Sequence, residues 1–318
     1  MTSSLPRHLS LGPGGEFDRI REIAAALGAA AGPLGDDCAL VALGNTTLAA
    51  SIDCSLEGVH FRTDWMTFPE IGWRAAAAAL SDLAAEGAKP FGLLVSVGAP
   101  ESGGNDLAAI MGGVGSAAHS VGATVLGGDL VRAERFLVDV CVLGTVDRPV
   151  RRIGAHAGDA LWVTGTLGGA GLALRELVAG RRPDPDALRR LVRPVPRIAA
   201  GAWLAARGAT AMIDLSDGLT GDAAHLAAAS EVALEIALER VPSWIGIEPL
   251  LAVSSGEEYE LLVALPPAFG DSQARAFQLA HDLPLTRIGS CGAGTGVRFT
   301  DRGAAVAVPR GFDHFASG

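Results

Sequence analysis

Lysine is almost absent from this sequence. Among 318 residues it occurs once, at Lys89, while arginine supplies the other 24 positive side chains. The acidic residues number 35 and leave a formal net charge of −10. A nucleic-acid-binding surface needs a face rich in positive charge, so the composition argues against a nucleic-acid partner. An acidic protein that binds a polyanion needs arginines or metal ions to bridge the repulsion.

Paired cysteines and long hydrophobic runs are also missing. The cysteines Cys38, Cys54, Cys141 and Cys291 are dispersed without a CxxC spacing, which supports neither a zinc site nor a disulfide framework. Cys38 and Cys54 are interpreted as small buried hydrophobic residues. No apolar run reaches the length of about 18 residues that a transmembrane helix needs, and the N-terminus lacks the pattern of a secretory signal. We therefore expect a cytoplasmic protein without a membrane partner.

The order of apolar segments predicts an α/β (α+β-like) protein. A length of 318 residues suggests about two domains. Strand-like runs such as TLAASID and FGLLVSVGA alternate with alanine-rich helical runs such as PEIGWRAAAAALSDLAAEGA. A new unit begins around GAHAGDALWVTG, and RRPDPDALRRLVRPVPRI is interpreted as a proline-rich connection. We place the boundary near residue 150, which gives domains over residues 1–150 and 151–318.

Carboxylates recur where apolar strand-like runs are predicted to end. They are Asp36, Asp37, Asp53, Asp129, Asp214, Asp217 and Asp222. Asp82 interrupts a helical run of alanine and leucine, where a buried carboxylate is costly unless it is paired or bound to metal. Each aspartate alone could be a turn residue or a helix cap. Together they would repel one another unless divalent cations neutralised them, and carboxylates, water and phosphates are ligands of Mg²⁺. The residues predict an acidic magnesium site for a nucleotide polyphosphate.

Phosphate-binding signals are weaker. No GxxxxGK[ST] sequence occurs, which excludes a P-loop. The glycine-rich stretches LGGD (126–129) and TGTLGGAG (164–171) would let the backbone approach a phosphate, although glycines are also common at turns. Arg152 is either a phosphate contact or a solvated surface residue.

Several residues suggest a pocket for an aromatic cation. His60 is interpreted as a substrate contact, because phosphoryl transfer demands little from a general base. Glu257 and Glu258, beside Tyr259, would hold a cationic heterocycle by charge and ring contact, or they are exposed acids that open a strand. Phe312 is either a second aromatic wall or part of the core.

The motifs, in their order along the chain, resemble those of thiamine-monophosphate kinases, in the superfamily of aminoimidazole ribonucleotide synthetase and selenophosphate synthetase. They are GDDCAL, SIDCSLEGVHF, ALSDLAAEGA, GGD, GDALWVTGTLGG, RPVPRI, IDLSDGL, SGEEYEL and GFDHF. The resemblance implies a two-domain fold in which the N-terminal domain forms a dimeric β-barrel and the C-terminal α/β domain completes the active-site cleft. It further implies ATP-dependent phosphorylation of thiamine monophosphate to thiamine diphosphate, the last step of thiamine diphosphate biosynthesis. The transfer would be direct and in-line, with several Mg²⁺ ions, ATP as co-substrate and a homodimer.

The resemblance also assigns roles to residues. The metal-ligand positions are Asp37, Ser51, Ile52, Asp53, Asp82, Asp129, Asp214 and Asp217. The ATP contacts are Gly128, Asp129, Arg152 and Ser216. The substrate contacts are His60, Glu257 and Phe312, and the catalytic positions are Asp53, Asp129 and Asp217. Two residues depart from the pattern: Ile52 replaces a threonine, and Glu258 replaces an aspartate and would add a methylene beside the thiamine pocket.

Two alternatives remain open. One is another ATP-using member of the superfamily, such as selenophosphate or aminoimidazole ribonucleotide synthetase. Residues 1–35 contain neither the cysteine nor the lysine usual in selenophosphate synthetases. The other alternative is a non-catalytic nucleotide-binding sensor, which we would expect to have lost the acidic ligands. All of them are present.

Overall fold

The N-terminal half builds a five-stranded sheet with two helices on one face. The computed structural model describes residues 8–101 and 104–315. The strands are β1 (Ala39–Leu43), β2 (Thr46–Leu56), β3 (Lys89–Ala99), β4 (Thr124–Arg132) and β5 (Leu137–Val146), in the order β1-β2-β5-β3-β4. Strands β3 and β4 are parallel and the other neighbours are antiparallel. Helix α1 (Gly15–Leu27) precedes the sheet, while α2 (Phe68–Ala85) and α3 (Gly104–Ser120) pack together against it.

The C-terminal half builds a seven-stranded, mostly antiparallel sheet. Its strands are β6 (Ala160–Thr164), β7 (Ala211–Asp214), β8 (Ala233–Ala237), β9 (Leu261–Leu265), β10 (Leu285–Gly292), β11 (Gly296–Asp301) and β12 (Ala304–Val306). Their order is β12-β11-β8-β10-β6-β9-β7, with one parallel pair, β8 and β11. The helices are α4 (Gly169–Val178), α5 (Pro185–Val192), α6 (Ile198–Ala205), α7 (Leu219–Ser230), α8 (Pro249–Ser254) and α9 (Asp271–His281). Two sheets with helices confirm the predicted mixture of α and β structure.

The predicted proline-rich connection contains a helix. Helix α5 begins at Pro185, and the Asp184 carboxylate accepts hydrogen bonds from the backbone N–H groups of Asp186 and Ala187, each at 3.0 Å. Proline is compatible with the first turn because that turn's N–H groups have no partner inside the helix. The prolines therefore mark the beginning of this helix and do not exclude it. Among the described residues, no helix combines the length and apolar character needed to cross a membrane.

The N-terminal sheet leaves one face uncovered in the single chain. Ladder pairing places Ile52, Cys141 and Leu94 side by side on this outer face, where Ile52 is 66% and Leu94 43% exposed. Cys54 lies on the same face and is exposed, so its prediction as a buried residue is wrong. Cys38 is buried, as predicted. An apolar surface of this kind is typical of an interface.

Helix α2 lies unusually close to its neighbours. A Cβ atom on Gly72 of α2 would meet the carbonyl oxygen of Ile110 at 1.9 Å, and one on Gly113 of α3 would meet that of Pro69 at 2.0 Å. On the other side, a Cβ atom on Gly201 of α6 would meet a carbonyl oxygen of α2 at 1.9 Å. The glycines and the many alanines of α2 therefore permit contact between helix backbones. This packing fixes α2, which carries several site residues.

Candidate active site

A cavity of about 800 Å³ lies between the two halves of the chain. Its wall combines residues of β2 and α2 with residues that follow β7, precede β9 and form the C-terminal segment. The predicted site residues that line it are Ile52, Asp53, His60, Asp82, Asp214, Ser216, Asp217, Glu257 and Phe312. The structure therefore brings most of the predicted positions to one place.

Three carboxylates meet at one end of this cavity. Oxygen atoms of Asp37, Asp82 and Asp214 all lie within 4.8 Å of one another. Asp37 and Asp214 are buried, and the Ser51 hydroxyl donates a hydrogen bond of 2.5 Å to Asp82. The Oδ2 atom of Asp37 is buried without a hydrogen-bond partner. A buried, unpartnered oxygen among crowded carboxylates fits a bound cation.

Burial and mutual repulsion disfavour the charged forms of these acids. Desolvation, followed by the charge of Asp37, raises the pKa of Asp214 to about 7. Desolvation and the Asp214 charge raise the pKa of Asp82 well above its ordinary value. Desolvation and Glu257 raise the pKa of Asp53 to about 6. A divalent cation would reverse these shifts because it favours the ionised carboxylates.

Asp217 is supported by an acid that the resemblance does not assign. Desolvation, followed by the charge of Glu16, raises the pKa of Asp217 to about 7. The backbone N–H of Asp217 donates a 3.2 Å hydrogen bond to the buried carboxylate of Asp222. The Asp217 carbonyl accepts a 2.9 Å hydrogen bond from the N–H of Phe312. Asp222 therefore positions the turn after β7, and the turn positions the C-terminal aromatic residues.

Arg152 is not a solvated surface residue. Its guanidinium donates hydrogen bonds of 2.6 and 3.2 Å to Asp37, and its side chain is 15% exposed. The neighbouring Arg151 pairs with Asp36 at 2.5 Å. Burial works against the charged form of Arg152, but the charge and hydrogen bond of Asp37, together with the charges of Asp36 and Asp214, outweigh burial and raise the pKa of the guanidinium. Arg152 thus lies at the acidic end, behind the three carboxylates.

Gly128 and Asp129 lie apart from the cavity of their own chain. Asp53 pairs with Val140, which pairs with Val95, which pairs with Gly128. Three ladder steps separate Asp53 from Gly128 by about 14 Å. Asp129 is exposed on the edge strand β4. A Cβ atom on Gly128 would meet the carbonyl oxygen of Val95 at 1.8 Å. Close packing against β3 therefore explains a glycine at this position without any ligand.

Asp53 and Asp129 do not lie at strand ends as predicted. Asp53 lies inside β2 (Thr46–Leu56), and Asp129 lies inside β4 (Thr124–Arg132). Both strands continue because their neighbours extend the ladder on either side of the aspartates. Asp53 nevertheless reaches the cavity because side chains alternate between the two faces of a strand.

Aromatic rings form another part of the cavity wall. The ring centroid of His314 lies 5.0 Å from that of His60 and 4.7 Å from that of Phe312. The Nδ1 atom of His60 accepts a 3.1 Å hydrogen bond from the N–H of Leu56. Burial, followed by the charge of His314, lowers the pKa of His60 and so favours its neutral form. Phe312 is 55% exposed and does not belong to the core. The resemblance did not assign His314, although it lies within GFDHF.

Glu257 is held between two donors in the middle of the cavity wall. Arg74 of α2 forms an ion pair with its Oε2 atom, and the Tyr259 hydroxyl donates to the same atom at 2.7 Å. Glu257 and Tyr259 have backbone φ angles of 69° and 51°. Positive φ angles are unfavourable for residues other than glycine. Where they do occur, they are often found at functional sites. Sequence reasoning missed Arg74; its one signal is a charge within an apolar helix, as for Asp82.

Comparisons with known proteins agree with this arrangement. AIR synthase related protein, N-terminal domain, matches residues 35–146, and AIR synthase related protein, C-terminal domain, matches residues 156–302. A thiamine-monophosphate kinase of Mycobacterium tuberculosis is 37% identical over 243 residues, which cover 72% of this chain and 73% of the relative. This chain belongs to the thiamine-monophosphate kinase family. The family predicted from the motifs is confirmed, as is the two-domain fold.

Longer matches extend the likeness along the chain. A thiamine-monophosphate kinase of Aquifex aeolicus is 33% identical over 302 residues, or 89% of this chain and 92% of the relative. The solved structure of AaThiL complexed with AMPPCP and TMP has a TM-score of 0.84 and 32% identity. It covers 95% of this chain and 97% of that chain.

The first departure from the family pattern, Glu258, lies outside the substrate cavity. Its buried Oε1 atom accepts hydrogen bonds from the N–H groups of Gly168 and Ala170 at 2.8 and 3.1 Å. These N–H groups belong to the first turn of α4, where a carboxylate is favourable. Burial raises the pKa of Glu258 to about 7. The expectation of an added methylene beside the thiamine pocket is therefore wrong.

The second departure, Ile52, does not disturb the acidic end. Ser51 and Asp53 face α2, whereas the Ile52 side chain points to the opposite face of the sheet, where it is exposed. A threonine hydroxyl at this position would point the same way. Only the backbone carbonyl of Ile52 is left as a candidate metal ligand.

Proposed function

We propose that this chain transfers the γ-phosphoryl group of ATP to thiamine monophosphate by direct in-line transfer. The observation that carries the proposal is one cavity whose wall combines an acidic cluster with a group of aromatic rings. Clustered carboxylates and Arg152 suit a metal-bound polyphosphate. Aromatic rings and Glu257 suit a cationic heterocycle. The family membership and the likeness to AaThiL complexed with AMPPCP and TMP support this assignment.

The acidic residues fit several Mg²⁺ ions. Asp37, Asp82 and Asp214 would form one group of ligands, with Asp53 and Asp217 nearby on the cavity wall. Bound Mg²⁺ would neutralise the phosphate charge that these carboxylates would otherwise repel. The Ser51 hydroxyl orients Asp82. The accepting group is a phosphate with a second pKa of about 6, so it is already anionic at pH 7. A general base is therefore not needed, which agrees with the prediction that His60 is a substrate contact.

A homodimer would cover the exposed face of the N-terminal sheet. We propose that two copies of this sheet pair into the β-barrel that the resemblance implies. The exposed row containing Ile52 and Leu94 supports this pairing, because neighbouring exposed apolar side chains are typical of an interface. Pairing would also explain the position of Gly128 and Asp129, which would complete the ATP site of a second copy. Sedimentation velocity should show a dimer for the wild type and a monomer for Leu94→Asp; a dimeric variant would contradict this interface.

Three further assignments stay predictions. They are the domain boundary near residue 150, the cytoplasmic location, and the ATP and substrate roles assigned residue by residue. Each follows from the resemblance or from composition.

Product identification tests the function. The purified protein would be incubated with ATP, Mg²⁺ and thiamine monophosphate, and the products would be identified by mass spectrometry. We expect thiamine diphosphate and an equal amount of ADP, with no product when Mg²⁺ is omitted. Unchanged thiamine monophosphate, with ATP still bound, would refute the kinase and favour a nucleotide sensor or another member of the superfamily. A parallel reaction with thiamine tests whether the phosphate of the acceptor is required.

A further inference from the structure

Arg74 is the buried arginine of the cavity wall. Its side chain is 4% exposed, whereas the other arginines among the described lining residues, Arg62, Arg175 and Arg310, are exposed. Arg62 is moreover paired with Asp64 at 2.6 Å. A cation buried in a cavity is costly unless an anion compensates it. Glu257 compensates part of this cost in the structure.

Arg74 lies on the helix that carries Asp82 of the acidic cluster, and it lines the cavity that the aromatic rings also line. It precedes Asp82 by eight residues on α2, which places the two Cα atoms about 12 Å apart along the helix axis. Asp53, near the acidic cluster, and His60, among the aromatic rings, line the same cavity as Arg74. An accepting phosphate must lie between the metal-bound nucleotide and the heterocycle to which it is attached. Arg74 is the buried cation on the wall that such a phosphate would face.

The guanidinium of Arg74 has donors left over after it pairs with Glu257. Arginine carries five N–H donors, and the bond to Glu257 uses Nη2. The Nε atom is buried and has no hydrogen-bond partner among the residues that the structure describes. The Tyr259 hydroxyl also donates to Glu257. Glu257 therefore keeps a hydrogen-bond partner when N–H groups of Arg74 bind a phosphate. An arginine with free, desolvated donors is well suited to a phosphate.

We propose that Arg74 binds the phosphate that the substrate already carries and thereby selects thiamine monophosphate over thiamine. This inference rests on the proposed function. Arg74 and Glu257 then recognise opposite charges of one molecule, the phosphate and the cationic ring. A site built around a buried polar group discriminates strongly against a ligand that leaves that group unpaired. Arg74 is thus a specificity-determining residue, and Tyr259 is a positioning residue for Glu257.

The test separates phosphate recognition from the positioning of Glu257. Calorimetric titrations would measure the affinities for thiamine monophosphate and thiamine, with Mg²⁺ and a non-hydrolysable ATP analogue present. Arg74→Met should lower the ratio of the two affinities by about 10–100-fold, the range for a hydrogen bond to a charged group. Tyr259→Phe, the matched control, removes the other donor to Glu257. It should weaken both ligands by the same factor and leave the ratio unchanged.

Each outcome decides the proposal. An unchanged ratio in Arg74→Met would assign Arg74 to positioning Glu257 and overturn phosphate recognition. If Arg74→Met does not fold, as judged by circular dichroism, Arg74→Gln decides, because it also removes the charge: a lowered ratio supports the proposal and a wild-type ratio overturns it. If the wild type forms thiamine diphosphate but Arg74→Met keeps the wild-type ratio of affinities, only the role of Arg74 is refuted. A wild type that neither binds nor converts thiamine monophosphate refutes the proposed function itself.

Discussion

Replacing Glu260 by glutamine should destabilise the C-terminal half of the chain. Glu260 is fully buried immediately before β9. It accepts hydrogen bonds from the Thr164 hydroxyl at 2.6 Å and from Arg197 at 2.5 and 2.9 Å. Arg190 adds a contact of 3.2 Å. Glutamine keeps the shape of the side chain but removes the charge, and its amide turns N–H donors toward guanidinium donors.

The expected loss follows from the burial of the partners. Removing one member of a buried ion pair costs about 3–5 kcal/mol because the remaining charge is left uncompensated. Arg190 and Arg197 are 25% and 18% exposed, so water partly solvates them after the change. We therefore expect a loss near the lower limit, about 3 kcal/mol. For a cooperative unit of 150–250 residues this lowers the melting temperature by roughly 6–12 °C.

Thermal unfolding measures this change directly. Tryptophan fluorescence reports on the C-terminal core because Trp162 lies in β6. Glu176→Gln is the matched control: its pair with Arg181, whose side chain is 61% exposed, faces solvent, so the melting temperature should not change measurably. Equal, small shifts in both variants would refute the reasoning, because they would mean that the buried charge is not needed.

Four further changes test the site and its surroundings. Asp53→Asn should lower turnover at least tenfold while the protein still folds, as judged by circular dichroism, because the charge serves metal binding. Ile52→Thr should leave the Mg²⁺ dependence of turnover unchanged, since this side chain faces away from Asp53. Phe312→Ala should raise the KM for thiamine monophosphate more than the KM for ATP. The pKa of Glu258 is raised to about 7 by burial, so the wild type should lose about 3 kcal/mol of stability relative to Glu258→Gln as the pH rises from 4.5 to 7, measured by urea unfolding.

Local patterns predicted much of the fold. The alternation of apolar runs identified the strands around Asp53 and the helix that carries Asp82, because periodicity reflects burial on one face. The burial of Asp82 beside other acids also followed from its sequence, since an acid in an apolar helix requires a partner. The ordered motifs then predicted the family.

Spatial order could not be read from the same patterns. Strands β5 and β3 lie between β2 and β4, which separates Asp129 from Asp53 although both follow similar apolar runs. Glu257 and Glu258 are adjacent in the chain, but one faces the cavity and the other binds the first turn of α4. The backbone conformation at Glu257 decides this division, and no periodic pattern records it. Arg74 became recognisable only when its partner from the other half of the chain was known.

The close packing of α2 fixes a distance within the site. Because α2 meets the backbones of α3 and α6 through glycines, it cannot slide or rotate without steric overlap. The rise from Arg74 to Asp82 is therefore a constant length of about 12 Å. An acceptor of a different length could not engage both Arg74 and the metal site at Asp82. Gly72→Ala should shift α2 and thereby change the selectivity between acceptors, even though Gly72 does not line the cavity.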